Sequence, residues 1–377
     1  MTSNESSADT AKVDRPSLTI PRPGLPPGTS VGRYLIVDLV GEGGMGVVYK
    51  AYDPQLGRTV ALKLVRTTHQ GRLDTGGTLR ERFLREARAL ALLSHPNVIN
   101  VHDAGVFGDD VFIAMEFVEG PTLGRWLRTE PRSRDRILDV FLAAGAGLVA
   151  AHAAGLVHRD FKPDNVIVSS DGRVRVLDFG LARAVDAGDD ASTLADAPLS
   201  RRQEDAKRPA PAASTTASPS SETSSGGKRT PAGSLSSLTE GGAIMGTPRF
   251  MAPEQHLGHA VDERADQFSF CVALYTALYG AAPFGGASIL ELTENVIVGK
   301  VSEVPAGSRV PRWLRAVLLR GLSVEPAARY PSMSALLAAL RADPTIARGR
   351  WLQMGLVAAV MASAGLAWFS SHRSQTL

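Results

Sequence analysis

A single cysteine, Cys271, stands in a chain of 377 residues. That scarcity excludes an internal disulfide framework and a cysteine-based zinc site, and it suits a reducing compartment. The neighbours of Cys271, "FSFCVALYTALYG", are apolar at helical spacing, which marks the thiol as a core group rather than a reactive one. An excess of one charge is also missing: 41 Lys and Arg stand against 38 Asp and Glu, a formal net charge of +3. So even a balance argues against a genome-scale polyanion, and no nucleic-acid partner is expected, although an anionic membrane surface stays open. Residues 1–30 lack a positive segment followed by an apolar one, so no secretory signal is read there. They read instead as a disordered tail whose Pro-rich part, "PRPGLPPGTS", is either a solvated linker or a ligand for a polyproline-reading domain. No internal repeat is visible.

What is present is enough apolar residue, 44%, to bury one large core or two lobes. From Arg33, the runs "RYLIVDLV", "VVYKAYD" and "RTVALKLV" are rich in β-branched and aromatic residues, and they are separated by the Gly41–Gly46 cluster and the turn "DPQLG". They predict antiparallel hairpins. Next, "LRERFLREARALALLSHP" places Phe83, Ala87 and Leu90 on one helical face and stops before Pro96. A strand pair, "NVHDAGVFG" and "VFIAMEFVEG", follows. Beyond Gly120 the chain reads as helices around "RILDVFLAAGAGLVAAHAAGL", "QFSFCVALYTALYG", "RWLRAVLLRGL" and "MSALLAALRA", with one hairpin in "NVIVSSDGRVRVLD". A strand-rich half before a helix-rich half predicts two lobes and a ligand cleft.

Near the far end, Trp351 to Phe369 carries no charged residue, matches the span of about 20 helical residues that crosses a bilayer, and has a tryptophan toward each end. A transmembrane helix over 351–369 is expected, with 370–377 as a short tail; a buried terminal helix is the alternative. Arg341, Arg348 and Arg350 before the span, against Arg373 after it, give a weak positive-inside signal. Gly355, Ala359 and Ser363 form a row of small residues through which a homodimer could pack.

The chemistry-bearing residues come in clusters. "VGEGGMGVVY" joins two strands, and its glycines let backbone amides approach an anion. Lys63 in "VALK" follows on a strand, where a cation is needed to grip phosphates, and Glu86 on the next helix could fix its orientation. "HRDFKPDN" packs an acid, a cation and an amide into one loop, and with "DFG" it supplies an oxygen pair, Asn165 and Asp178, suited to magnesium. Residues 34–340 resemble the protein kinase family, in particular bacterial eukaryotic-like (Hanks-type) Ser/Thr kinases, because these motifs and "GTPRFMAPE" occur in family order and spacing.

The resemblance implies an α+β, bilobal protein kinase fold with a β-rich N-lobe and an α-helical C-lobe. It implies transfer of the ATP γ-phosphate to Ser or Thr hydroxyls of proteins, with ATP and Mg2+ (or Mn2+) as cofactors. Asp160 would accept or orient the hydroxyl proton, Lys162 would stabilise charge on the γ-phosphoryl, and Lys63, held by Glu86, would grip the α and β phosphates. Asn165 and Asp178 would hold the metal. ATP would lie against Val40, Gly41, Glu42, Gly43, Gly44, Met45, Gly46, Val47, Val48, Ala61, Met115, Glu116, Val118 and Ile167. Lys162 with Thr247 in "GTPRF" resembles the Ser/Thr class. His158 and Asp266 would brace the catalytic loop, and Glu254 would pair with Arg329.

In the family, the segment between "DFG" and "APE" is a switch loop of about thirty residues. Here it runs from Asp178 to Glu254, and its excess, 184–238, is rich in Ser, Thr, Ala, Pro and Gly; such a stretch cannot offset the entropy of ordering. Arg159 before Asp160 implies control by phosphorylation of this segment, with Thr239 the leading site; Gly241 stands where relatives often have a second threonine. The expectation is a single-pass kinase of the inner membrane with its catalytic domain in the cytoplasm. The alternative is a membrane-tethered pseudokinase scaffold.

Overall fold

The structure, a computed structural model, describes residues 24–43, 46–65, 78–179 and 248–342. The expected insertion at 184–238, the helix at 351–369 and most of the N-terminal tail lie outside the described residues. The chain divides into two compact units, Met1–Leu73 with Val101–Phe117, and Asp74–Asn100 with Val118–Leu377.

The first unit is a six-stranded antiparallel sheet in the order β1-β2-β3-β4-β6-β5. Its strands are β1 (Ser30–Val31), β2 (Tyr34–Gly43), β3 (Gly46–Asp53), β4 (Arg58–Val65), β5 (Val101–Phe107) and β6 (Asp110–Glu116). Successive residues of a strand point to opposite faces, so register decides which side chains share a layer. Pairing Val48 with Lys63 and Lys63 with Ile113 puts Val47, Tyr49, Ala51, Val60, Leu62, Leu64, Phe112 and Ala114 on the other face. There they join Val31, Tyr34 and Ile36 in one buried core. At the start of β3, Gly46 has φ +147°, and a Cβ on it would run into the Leu64 carbonyl, so only glycine fits. Asp53 is fully buried at the end of β3. It accepts from Arg33 Nε at 3.3 Å and from the Gln55 amide at 3.1 Å, which pins the turn to β4.

The second unit is helical: α1 (Thr78–Ala91), α2 (Leu123–Thr129), α3 (Arg134–Ala153), α4 (Pro253–His256), α5 (Glu263–Tyr279), α6 (Ile289–Ile297), α7 (Arg312–Gly321) and α8 (Met333–Arg341), with the hairpin β7 (Val166–Val168) and β8 (Val174–Val176). Phe83, Ala87 and Leu90 on α1 are buried, as the spacing predicts. The centre of this unit is α5. Asp262 caps it by accepting from Arg264 N at 2.8 Å, and Gly280 ends it at φ +68°. Every residue from Ala265 to Tyr275 is buried, so this helix is enclosed on all sides rather than amphipathic.

Alongside runs α3, capped by Ser133. Among the described residues it alone is long and apolar enough to cross a membrane, yet it packs on α5, α8 and β8 with Phe141, Ala144 and Leu148 fully buried, which makes it a core helix. Gly147 lets it close on the preceding segment, since a Cβ there would sit 2.5 Å from the Asn97 carbonyl.

Sequence reading did not find α2 or α6. Each is short and starts at a hydroxyl cap, Thr122 accepting from Arg125 N at 3.3 Å and Ser288 from Glu291 N at 3.1 Å.

Cys271 lies at the middle of α5, fully buried, and burial pushes its thiol up to about 12. A neutral, enclosed thiol does not attack disulfides. The folded protein is therefore expected to leave Ellman's reagent unreacted at pH 8 and to release one equivalent of product on unfolding in denaturant. Prompt labelling of the folded protein would contradict this burial.

Candidate active site

The loop His158–Asn165 joins α3 to β7. Its last three residues form a 3₁₀ turn, Pro163–Asn165, closed by Asn165 N donating to the Lys162 carbonyl at 2.9 Å. The Leu177 amide donates to the Asn165 carbonyl at 2.8 Å, fixing the turn to the strand end that leads to Asp178. At the loop's centre the Asp160 carboxylate is 7% exposed. Its Oδ2 accepts from Lys162 Nζ at 2.6 Å and from Asn165 Nδ2 at 3.2 Å, and Nδ2 also donates to the Asp160 carbonyl at 2.8 Å. A buried carboxylate needs such partners to stay ionised.

Below it, His158 is fully buried against Phe161 and Phe179. Its Nε2 lies 2.8 Å from the Leu177 carbonyl and its Nδ1 3.3 Å from the Asp160 amide. One tautomer satisfies both contacts: Nε2–H donates and Nδ1 accepts. Asp266, fully buried in the first turn of α5, accepts from His158 N at 2.8 Å, Arg159 N at 2.7 Å and His152 Nε2 at 2.7 Å. These bonds hold Arg159 at φ 65°, a conformation costly for a residue with a Cβ. Asp178 also lies in this region, at φ 58°. Backbone strain is thus concentrated in the two segments that carry acidic site residues.

Glu254 and Arg329, 75 residues apart, form a two-pronged ion pair with both N···O distances at 2.7 Å. Next to them, Gln255 holds the following segment against the catalytic loop: its Nε2 donates to the Arg159 carbonyl at 2.7 Å and its Oε1 accepts from Ala252 N at 2.9 Å. His256 is kept below the usual imidazole range by burial. Gln255 and His152 escaped sequence reading. The signal that could have found them is placement: His152 lies six residues before His158, and Gln255 directly follows Glu254.

In the sheet unit, register puts Val48, Ala61, Lys63 and Met115 on the face opposite its core. Lys63 and Met115 are 6% and 7% exposed, whereas Val40 on β2 is 56% exposed. Gly41 pairs with Val48, and Gly43 with Gly46. Val47 differs from the expectation: its side chain is on the core face, buried with Tyr49 and Leu62. Glu42 and Glu116 lie on β2 and β6. Glu86 is half-buried on α1, Val118 begins the helical unit, and Ile167 on β7 bridges to Thr122. The structure gathers Asp160, Lys162, Asn165, His158 and Asp266 in one unit and Lys63, Ala61 and Met115 on one sheet face of the other. Gly44, Met45, Thr239 and Thr247 lie outside the described residues.

The oxygen donors Asn165 and Asp178 are hard ligands of the kind that suits Mg2+ or Mn2+. The Asn165 amide spends its nitrogen on Asp160, which turns its oxygen the other way. Among the described residues no group of three or more His, Cys, Asp or Glu could hold a metal by itself. A pair completed by ligand oxygens fits what is present.

A family profile described as the protein kinase domain matches residues 34–198. Serine/threonine-protein kinase PknA of Mycobacterium tuberculosis is 34% identical over 310 residues, which are 81% of this chain and 59% of PknA. The chain belongs to the protein kinase family. Within this kinase family it also resembles serine/threonine-protein kinase pkn2 of Myxococcus xanthus, 33% identical over 321 residues, 82% of this chain and 32% of that protein. Among solved structures, the Mycobacterium tuberculosis PknI kinase domain matches with a TM-score of 0.54 and 23% identity, covering 84% of this chain and 98% of that one. Rad53 residues 1–466 in complex with AMP-PNP matches with a TM-score of 0.57 and 21% identity, covering 81% and 64%. The fold is thus the bilobal kinase fold, a sheet lobe and a helical lobe, and the chain spans about three-fifths of PknA and a third of pkn2.

Proposed function

We propose that this protein is a Ser/Thr protein kinase that transfers the γ-phosphoryl group of ATP to Ser or Thr hydroxyls of proteins, including its own activation segment. The observation that carries the reading is the Asp160 carboxylate, enclosed, with Lys162 Nζ at 2.6 Å and the Asn165 amide on the same oxygen. Both contacts fall on Oδ2, which leaves Oδ1 to receive the proton of an acceptor hydroxyl. Lys162, held by Asp160, faces the charge that builds on the transferred group. Asn165 and Asp178 hold a divalent cation, Mg2+ or Mn2+, whose chemistry when bound is to neutralise phosphate charge. Lys63 and the amides of the glycine-rich strand ends, Gly41–Gly43 and Gly46, hold phosphates, while Val48, Ala61 and Met115 give the adenine an apolar bed. Positioning and charge placement are nearly all that such a transfer requires.

The helix at 351–369 anchors the kinase to the inner membrane in a single pass, with the catalytic domain in the cytoplasm where ATP is present. Its uncharged length supports this, and its Gly355, Ala359 and Ser363 row supports pairing of two copies.

Incubation with γ-labelled ATP and Mg2+, followed by phosphoamino-acid analysis, should yield labelled Ser and Thr on the protein itself or on a generic acceptor. Label on tyrosine alone, or none, would sink the proposal. The full-length chain should sediment with membranes and need detergent for release; a wholly soluble chain would remove the anchor.

Asp266 is a positioning residue here. Asp266→Asn replaces one of the oxygens that hold the His158 and Arg159 amides by an amide nitrogen, so the loop loses its clamp. The expected result is a kcat lower by roughly tenfold to a hundredfold with the KM for ATP held within about twofold. A merely structural role would instead show as lost folded protein, checked by circular dichroism, with unchanged kcat per folded molecule.

A further inference from the structure

Within the helical unit two elements connected to the catalytic loop carry exposed cations. One, α2, packs on the 3₁₀ turn Pro163–Asn165 and buries Leu123, Gly124 and Trp126. Arg125 and Arg128, three apart and therefore neighbours on the helix surface, are exposed. Arg128 lies beside the loop: a Cβ on Gly124 would be 3.4 Å from Arg128 Nη1 and 2.8 Å from Asp164 Oδ1. Arg249 is exposed in the 3₁₀ turn Pro248–Phe250, three residues before Ala252, and Gln255, which accepts from Ala252 N, ties this stretch to the carbonyl of Arg159, the residue before Asp160.

The ordinary use of an exposed arginine is to face solvent, often beside a carboxylate. Arg132 and Arg134 fit that description, since they pair with Glu130 and Asp135. Arg125, Arg128 and Arg249 do not: none has a carboxylate partner among the described residues. Apart from Glu130 and Asp135, each already paired with an arginine, the exposed carboxylates near these positions in the chain are Glu119 and Asp164, while Asp160 is neutralised by Lys162. Three cations against two carboxylates leave the exposed surface around the catalytic loop positive, and two separate elements of the helical unit carry that charge.

We propose that the protein selects acceptor segments that carry Asp or Glu beside the hydroxyl. The proposal rests on the kinase reading and names the substrate class of that same site. A carboxylate side chain gains a guanidinium partner that donates to it in two-pronged geometry. A Lys- or Arg-flanked acceptor meets like charge from Arg125, Arg128 and Arg249, which disfavours it.

The test uses three peptides with one Thr acceptor and identical lengths, flanked by Glu, by Gln or by Lys. The Glu peptide should exceed the Lys peptide by about tenfold in kcat/KM, mostly through KM, and the margin should shrink as salt rises. Arg128→Glu and Arg249→Glu should each cut that margin severalfold while leaving kcat on the Gln peptide unchanged. Equilibrium binding of the same labelled peptides to the Asp160→Asn protein should follow the same order. A complete absence of transfer would strike the kinase reading, and the order of binding would still decide this one. Equal affinity and rate for all three peptides, a Lys preference, or a Glu preference unmoved in both variants would overturn it.

Discussion

Asp160→Asn protein is expected to fold and to bind ATP like the parent while its phosphoryl transfer falls by roughly 10²–10⁴-fold, the usual worth of a positioned general base. The substitution keeps the shape of the side chain. It also keeps the backbone contact by which Asn165 Nδ2 donates to the carbonyl of residue 160 at 2.8 Å, so the loop has a reason to hold its course. What it removes is the charge. Lys162, 2.6 Å from Oδ2 in the parent, loses its counter-ion, and the acceptor hydroxyl loses its proton acceptor. Initial rates against a generic acceptor, with the KM for ATP and the circular dichroism spectrum as controls, separate this outcome from misfolding. Activity within about twofold of the parent would remove Asp160 from the chemistry.

The second large effect is on stability. Arg329 is 1% exposed and donates five hydrogen bonds: Nη1 to Glu254 Oε1 at 2.7 Å and to the Arg264 carbonyl at 2.8 Å, Nη2 to Glu254 Oε2 at 2.7 Å and to the Val324 carbonyl at 3.2 Å, and Nε to the Ser323 carbonyl at 2.9 Å. Its guanidinium also lies 5.1 Å from the centre of the Phe268 ring. Arg329→Ala strands a 6% exposed Glu254 carboxylate and three carbonyls, and breaking a buried pair in this way costs about 3–5 kcal/mol. Arg329→Lys should recover only a part, because an ammonium cannot reproduce the fork. The double variant Glu254→Leu with Arg329→Met should cost clearly less than the sum of the two singles, since no charge is then left alone. Urea midpoints of the parent, Glu254→Leu, Arg329→Met and the double variant check this, and strict additivity would show that the pair is not coupled.

How much of this could be read in the sequence differs by kind of interaction. The strands β2, β3 and β4 were legible because alternation and β-branched residues act over a few positions, and β4 runs over the same residues, 58–65, as "RTVALKLV". The enclosed helix α5 was legible as apolar length. Which face a strand residue takes was not: Val47 and Val48 are the same residue type, and only pairing of β3 with β4 sends one into the core and the other to the opposite side. Polar contacts across long separations were also hidden. His152 and Asp266 lie 114 residues apart, Gln255 and Arg159 96 apart, and neither pair leaves a periodic trace in composition. Asp266 was named through family resemblance, whereas its third donor, His152, was not. Short helices such as α2 and α6 depend on a single cap and on burial against neighbours, which local propensity does not encode.

The division of the chain into two units also decides what light can report. Among the described residues the tryptophans are Trp126 and Trp313, both in the helical unit, and the sheet unit has none. The emission of Trp126 and Trp313 therefore reports the unit that holds Asp160, Arg329 and Cys271, whereas the aromatic signal of the sheet comes from tyrosines such as Tyr34, Tyr49 and Tyr52 together with phenylalanine. Excitation at the red edge and at the tyrosine band offers two separate clocks in one denaturation experiment.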